Sequence, residues 1–264
     1  MSSSSVLAYG LSVLTTPVLA DKISQSQTAV SLWLKGCLPI GTLWPENTIP
    51  DHPARPEKPS LVEAREIQNP KRTAKTFGLG LNTVLLHNVA HIELTAVDMY
   101  WDTLLRFLPS DPSLATSMEL QREFCGDFLA VISDEARHLE GALKRLHALG
   151  AEYGMLPCHK SLWDIGFATR LDLASRLALV PLVQEARGLD AGPRFVEQLS
   201  GANDNESAKL MQMIYEEEIR HVGAGMKWFR HVANSRGHTD IDLFFHTLVR
   251  SRKDLLLVWH DSLV

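Results

Sequence analysis

The sequence predicts an all-α protein built on a four-helix bundle, and three observations carry that prediction. From Thr76 onward apolar residues recur at helical spacing through four successive long segments. No stretch alternates apolar and polar residues at a period of two between turn signals, so no sheet is expected. The step Glu-x-x-His occurs twice, at Glu135–His138 and at Glu218–His221, each time inside one of those segments. Four helices of roughly 25 residues in a row are what a four-helix bundle requires.

In chain order, residues 1–36 read as two short helices. Val6, Leu7, Leu11 and Leu14 form the first stripe, and Val30, Leu32 and Leu34 belong to a second that ends at Gly36. Residues 37–75 carry Pro39, Pro45, Pro50, Pro53, Pro56, Pro59 and Pro70, which forbid a long helix. An extended arm over the body is expected there, with a disordered linker as the alternative. Residues 1–75 thus form an N-terminal helical and extended arm, and residues 76–264 the bundle. The bundle helices are expected at Leu79–Phe107, Leu120–Leu149, Leu162–Ala186 and Glu206–Ala233. The third is interrupted by Pro181 and ended by Gly188, and the fourth is capped by Asn203 or Asn205. An extra C-terminal helix is expected over Asp242–Trp259.

Composition narrows the function classes. With 264 residues, 45% of them hydrophobic and 22% charged, the chain can bury a real core. A formal charge of −5 gives no nucleic-acid footprint, which normally shows as a basic excess. Cys37, Cys125 and Cys158 are odd in number and far apart, so they fit no zinc or disulfide framework and read as reduced thiols. No uncharged apolar run approaches the roughly 20 residues that span a bilayer. VLAYGLSVLTTPVLA has the look of a leader, but no Lys or Arg precedes it and Gly10, Ser12, Thr15, Thr16 and Pro17 interrupt it. A cytoplasmic protein is expected.

The chemistry lies in the repeated step. Residues three apart on a helix share a face, so a carboxylate and an imidazole at that spacing can reach one point. A single Glu-x-x-His is weak evidence. Here each copy also has a lone glutamate in the helix before it. Glu93 lies among Val89, Ala90, Ala96, Val97 and Tyr100, and Glu185 shares a face with Leu177, Ala178, Pro181 and Leu182. An unpaired ionised carboxylate on an apolar face costs several kcal/mol, so each needs a cation or a proton. The order Glu, Glu-x-x-His, Glu, Glu-x-x-His is an internal duplication of a helix pair. Four carboxylates and two imidazoles match the di-iron or di-manganese site of ferritin-like bundles. Oxygen plus imidazole donors suit Fe, Mn or Zn.

HNVAHIELTAVD, DEARHLEGALKRLHALGAEYG, HKSLWD, RLALVPLVQEARGLDAGPRF and EEEIRHVGAGMKWF together resemble the DUF455 family. That family is placed in the ferritin-like superfamily of the tRNA hydroxylase MiaE. GLSVLTTPVLADKISQSQTAVSLWLKG also resembles its N-terminal helices. One departure is FGLGLN at 77–82, where the family often carries an arginine near Gly80, so no anion-binding role is carried over to that turn. The resemblance implies that Glu93 and Glu185 are terminal ligands, that Glu135 and Glu218 bridge two metal ions, and that His138 and His221 bind one ion each. The outer ring nitrogen of each histidine then needs an acceptor, for which Asp134 and Glu217 are the candidates, a solvated helix charge being the alternative for each.

His87 and His91 share a face with Asp98, but His91 lies about 200° around the helix from Glu93. They are expected to be a hydrogen-bonding stripe between helices rather than ligands. His159 either lines an entrance or caps the next helix, and Trp163, Phe167 and Trp228 read as core. Arg187 and Asp190 are placed near the mouth of a pocket that HKSLWD helps to build. The function expected is an O2-activating oxidoreductase or hydroxylase with two metal ions, iron foremost and manganese or zinc as alternatives. Its partners would be O2, an electron donor, and a small-molecule or tRNA-nucleoside substrate. Iron oxidation without an organic substrate, and a metal-free helical interaction protein, are the competing readings. The terminal extensions argue against a closed storage cage and leave room for a homodimer.

Overall fold

The computed structural model describes residues 4–42, 49–244 and 246–247. Two short helices come first, α1 (Val6–Thr15) and α2 (Leu19–Leu34). Ser5 starts α1 by accepting the Ala8 amide on its hydroxyl. α1 packs on α2 and on the long helix α4 (Leu81–Phe107), while α2 packs on α5 (Met118–Ala148). Lys22 of α2 is fully buried and donates at 2.7 Å both to Asp98 of α4 and to the Val13 carbonyl. Arg55, from the proline-rich arm, completes an ion-pair triad with Asp98 at 3.0 Å. Burying Lys22 is tolerable only because its charge is matched and its protons are taken up.

The body is an all-α bundle. Around it run α4, α5, α9 (Asn205–Ser235), and a broken third member that packs back on α9 and touches α4. Between them lies one apolar core, with Leu94, Val97, Phe128, Ile132, Leu177 and Phe229 all buried. α5 begins on the Ser117 hydroxyl and α9 on the Asp204 carboxylate. The cap of α9 is therefore Asp204, between the two asparagines named from the sequence.

The third member departs from expectation. It is not a single segment from Leu162 to Ala186 but four pieces: α6 (Ser161–Ala168), α7 (Leu173–Leu179), a π-helical turn (Val180–Glu185) and α8 (Ala186–Gly201). Asp172 restarts the chain as α7 by capping the Ser175 amide. Pro181 lacks an N–H and cannot complete an α-helical ladder, and the interruption expected at it is the π turn in which it sits. Nor does Gly188 stop it. A helical glycine costs only about 1 kcal/mol, which packing can override. Gly192 shows what the packing is: a Cβ there would meet the Tyr215 ring at 2.7 Å, so its absence brings α8 onto α9. On the facing helix, a Cβ on Gly225 would meet Pro181 at 2.5 Å.

The expectation of no sheet also needs correction. Leu61–Val62 (β1) pairs in parallel with Cys158–His159 (β2), too short a pairing to leave a periodic signal. Within the arm, α3 (Pro70–Phe77) starts on the Asn69 side chain, ahead of the Thr76 at which the sequence turns helical. His87 and His91 do not bridge helices; they anchor β2 and the chain that leads into it. His87 Nε2 accepts the Gly154 amide at 2.9 Å, and the His91 ring is held by the Tyr153 hydroxyl and the His159 carbonyl. Among the described residues, 240–244 and 246–247 are helical, with Phe244 against Phe229. The rest of the helix expected over Asp242–Trp259, like Pro45, lies outside the described residues.

Burial holds His87 neutral by pushing its pKa down to about 4. The unfolded chain, with an ordinary histidine near 6.5, binds this proton first, so stability is full above about pH 6.5 and falls as pH drops toward 4. Wild type should therefore lose about 1.4 kcal/mol per pH unit more than His87→Gln across that window, read from urea unfolding at each pH.

Candidate metal centre

The periodicity of α4 carries Glu93 inward, that of α5 Glu135 and His138, and that of α9 Glu218 and His221; all five are buried. Glu185 is the last residue of the π turn and is half-buried. The structure brings all six sequence-derived residues to one place, as two overlapping groups. One is Glu93, Glu135, His138 and Glu218; the other is Glu135, Glu185, Glu218 and His221. In each, the four ligand atoms lie within 4.8 Å of one another, and Glu135 and Glu218 belong to both. This cluster can hold a metal ion.

Both histidines turn Nδ1 into the cluster. His138 Nδ1 lies 3.3 Å from Glu93 and 3.6 Å from Glu135, and His221 Nδ1 lies 3.0 Å from Glu135 and 2.9 Å from Glu218. The outward nitrogens meet carboxylates across the interface of α5 and α9. His138 Nε2 lies 2.8 Å from Glu217, and His221 Nε2 lies 3.4 Å from Asp134. Each acidic residue preceding one Glu-x-x-His step thus serves the histidine of the other. Arg137 ties the two together, donating to Asp134 at 2.6 Å and to Glu217 at 2.9 Å. The crossing adds an acceptor to each ring and fixes α5 against α9.

The interior of the cluster is short of partners. Both carboxylate oxygens of Glu135, Oε2 of Glu93 and Nδ1 of His138 are buried without a hydrogen bond. Buried polar atoms are almost always satisfied, so four orphans converging on one point fit a cation. The electrostatics agree. Burial pushes Glu93 up to about 8. It raises Glu185 well above the ordinary carboxylate value, with repulsion from Glu218 and Glu135 adding to it. Burial would raise Glu135 too, but His221 and His138 beside it hold it well below the usual range. His138 is pushed up to about 11, the adjacent Glu135 and Glu93 carboxylates outweighing its burial. Protons supply the positive charge these carboxylates demand, and a metal ion would displace them.

Sequence reasoning missed Tyr100 and Gln184. The Tyr100 hydroxyl donates to Glu185 Oε1 at 2.9 Å. Gln184 Nε2 is buried with no acceptor. Neither is set apart by any motif; one is an ordinary core aromatic and the other precedes a ligand candidate by one residue. Both lie close to a cavity of about 510 Å³, which Gln184 lines, bounded by α4, α6, the π turn, α8 and α9. Arg187 lines it, as do Ser161 and Leu162 of HKSLWD, whereas Asp190 and His159 are not among its lining residues. The His159 ring instead meets the Ser161 hydroxyl at the start of α6. Trp163 and Trp228 are buried, and Phe167 is half-buried, stacked on His52.

Glu217→Ala leaves the His138 Nε2 without its carboxylate. Loss of such a partner typically costs about 10–100-fold in metal affinity. The same loss is expected here, measured by chelator competition, and helix content should not change because Glu217 is partly exposed.

No helix among the described residues is long and apolar enough to cross a membrane. A protein of Haemophilus influenzae bearing the name "Uncharacterized protein" is 34% identical over 200 residues, covering 75% of this chain and 67% of its own length. No solved structure matches the chain significantly. The family model described as a protein of unknown function, DUF455, matches residues 15–257, and with nearly all of the bundle inside that span the chain belongs to this family.

Proposed function

We infer that the chain is a di-metal carboxylate protein of ferritin-like type which, loaded with iron, activates O2 to oxidise an organic substrate. The observation that carries this is the overlap of two four-residue groups through Glu135 and Glu218. Those two carboxylates would span both ions, Glu93 and His138 would complete one site, and Glu185 and His221 the other. The donor set suits iron and accepts manganese or zinc. A bound ferrous pair supplies electrons to O2 beside the substrate.

The chain's own residues do the rest. Asp134 and Glu217 hold the imidazoles with Nδ1 inward. Tyr100 keeps its proton, because burial raises its pKa well above the ordinary value, and it orients Glu185 through that hydrogen bond. The mostly apolar lining of the cavity would limit the water that reaches the three glutamates within it. A cavity at the cluster favours an organic substrate over iron oxidation alone, and a tRNA nucleoside stands only as an analogy with MiaE.

To test the reading, the protein is loaded with Fe(II) without air, its iron is counted, and O2 is then admitted while the absorption spectrum is followed. Two irons per chain and an O2-dependent spectral change, both lost in His221→Ala, are expected. Fewer than two irons in the wild type sinks the di-metal reading. Two irons with no response to O2 sinks the oxidase. Turnover of iron into a growing mineral, with no substrate needed, would favour iron handling instead.

A further inference from the structure

Apart from a second hollow that touches Asp134 and His221, the cavity of about 510 Å³ meets the cluster at its carboxylates. Glu93, Glu185 and Glu218 line it, whereas Glu135, His138 and His221 do not. The histidines lie behind the carboxylates, under the charged belt of Asp134, Arg137 and Glu217. The rest of the lining is mostly apolar, with Val89, Ala96, Met99, Val180, Phe195 and Ile214. Asn88, Thr95, Ser161, Arg187 and Tyr215 are among its polar members. Of the lining residues, Ile92 is 46% exposed and Arg187 is exposed as well. Besides Oε2 of Glu93, the buried Nε2 of Gln184, another lining residue, has no hydrogen-bond partner. An amide N–H buried without an acceptor costs about 1–3 kcal/mol, so its presence beside a cavity marks a place where a ligand oxygen would sit.

We propose that this cavity binds an uncharged, elongated, largely apolar molecule whose single hydrogen-bond acceptor takes the Gln184 amide and whose apolar end lies against Glu93, Glu185 and Glu218. As the substrate class of the centre, this rests on the di-metal reading; as a binding site it stands apart from it. A charged ligand is disfavoured because most of the lining is apolar and replaces little of its hydration, Arg187 being the cationic lining residue. At about 510 Å³ the cavity falls in the range of about 300–1,000 Å³ that takes ligands of drug size.

Isothermal titration with the 2-alkanones from 2-hexanone to 2-dodecanone tests this, with metal content measured on the same samples. Affinity should rise about fourfold per added methylene until the cavity is filled, then level off. Gln184→Leu should weaken ketone binding about five- to tenfold while the increment per methylene stays the same. Gly188 lines the cavity, and a Cβ there would meet nothing, so Gly188→Phe should narrow the mouth without disturbing the fold and abolish binding of the longer ketones. Ala96→Phe is the second plug, acting from the α4 wall. Metal content should be unchanged in all three variants.

Affinity that does not depend on chain length, or that survives both plugs, overturns the proposal. So does tighter binding of decanoate or of a tRNA stem-loop oligonucleotide than of 2-decanone. Ketone binding in protein that takes up no metal would sustain the cavity and defeat the di-metal reading. Metal uptake without ketone binding would do the reverse.

Discussion

If the cluster holds two ions as proposed, Glu135→Ala is expected to abolish binding of both, whereas Glu93→Ala or Glu185→Ala should each spare the site to which it does not belong. The asymmetry follows from membership: Glu135 is in both four-residue groups, and Glu93 and Glu185 are in one each. Since loss of an acceptor behind a ligand already costs about 10–100-fold, loss of a shared ligand should exceed that at both sites. Metal analysis after dialysis against a weak chelator reads the stoichiometry. Thermal melting gives an independent check, because a ligand present at 100 times its Kd stabilises the folded state by about 2.7 kcal/mol. Chelator should lower the melting temperature of wild type and leave that of Glu135→Ala unmoved. Equal losses in the Glu93 and Glu135 variants would contradict the shared role.

Asp102→Ala should be the most damaging single substitution away from the cluster. Arg176 is 1% exposed, and Asp102 holds its guanidinium at 2.7 Å. The same guanidinium also donates to the Gly166 carbonyl and to the Thr103 and Thr169 hydroxyls. Without Asp102 those neutral partners remain, but the charge is buried and unmatched. Breaking a buried pair from one side costs about 3–5 kcal/mol. Urea unfolding of the variant should show that loss. The double variant Asp102→Leu/Arg176→Met should recover most of it, since an apolar pair of similar volume can replace a buried ion pair. If the double variant is no better than the single one, the cost lies in packing and not in charge.

How far these features can be read from the chain depends on their range. Leu81–Phe107 and Met118–Ala148 were legible within two residues at each end, because a 3.6-residue apolar period survives any packing. The third segment starts within one residue of the expected Leu162, but it breaks after Ala168 and runs on to Gly201. Pro181 and Gly188 are stop signals by local propensity, yet the close seats of Gly192 on Tyr215 and Gly225 on Pro181 carry the chain past them. Arg176 and Lys22 have the composition of surface residues, and only partners more than 70 residues away put them in the interior.

The sequence by itself determined the all-α class and the identities and order of Glu93, Glu135, His138, Glu185, Glu218 and His221, because ligand spacing on a helix is a local property. Tertiary structure decided which of these the two groups share, and set Asp134 behind His221 and Glu217 behind His138. It also opened one cavity against Glu93, Glu185 and Glu218 and a second hollow against Asp134 and His221. Those relations run between helices, and a one-dimensional period says which face a residue occupies without saying what that face will meet.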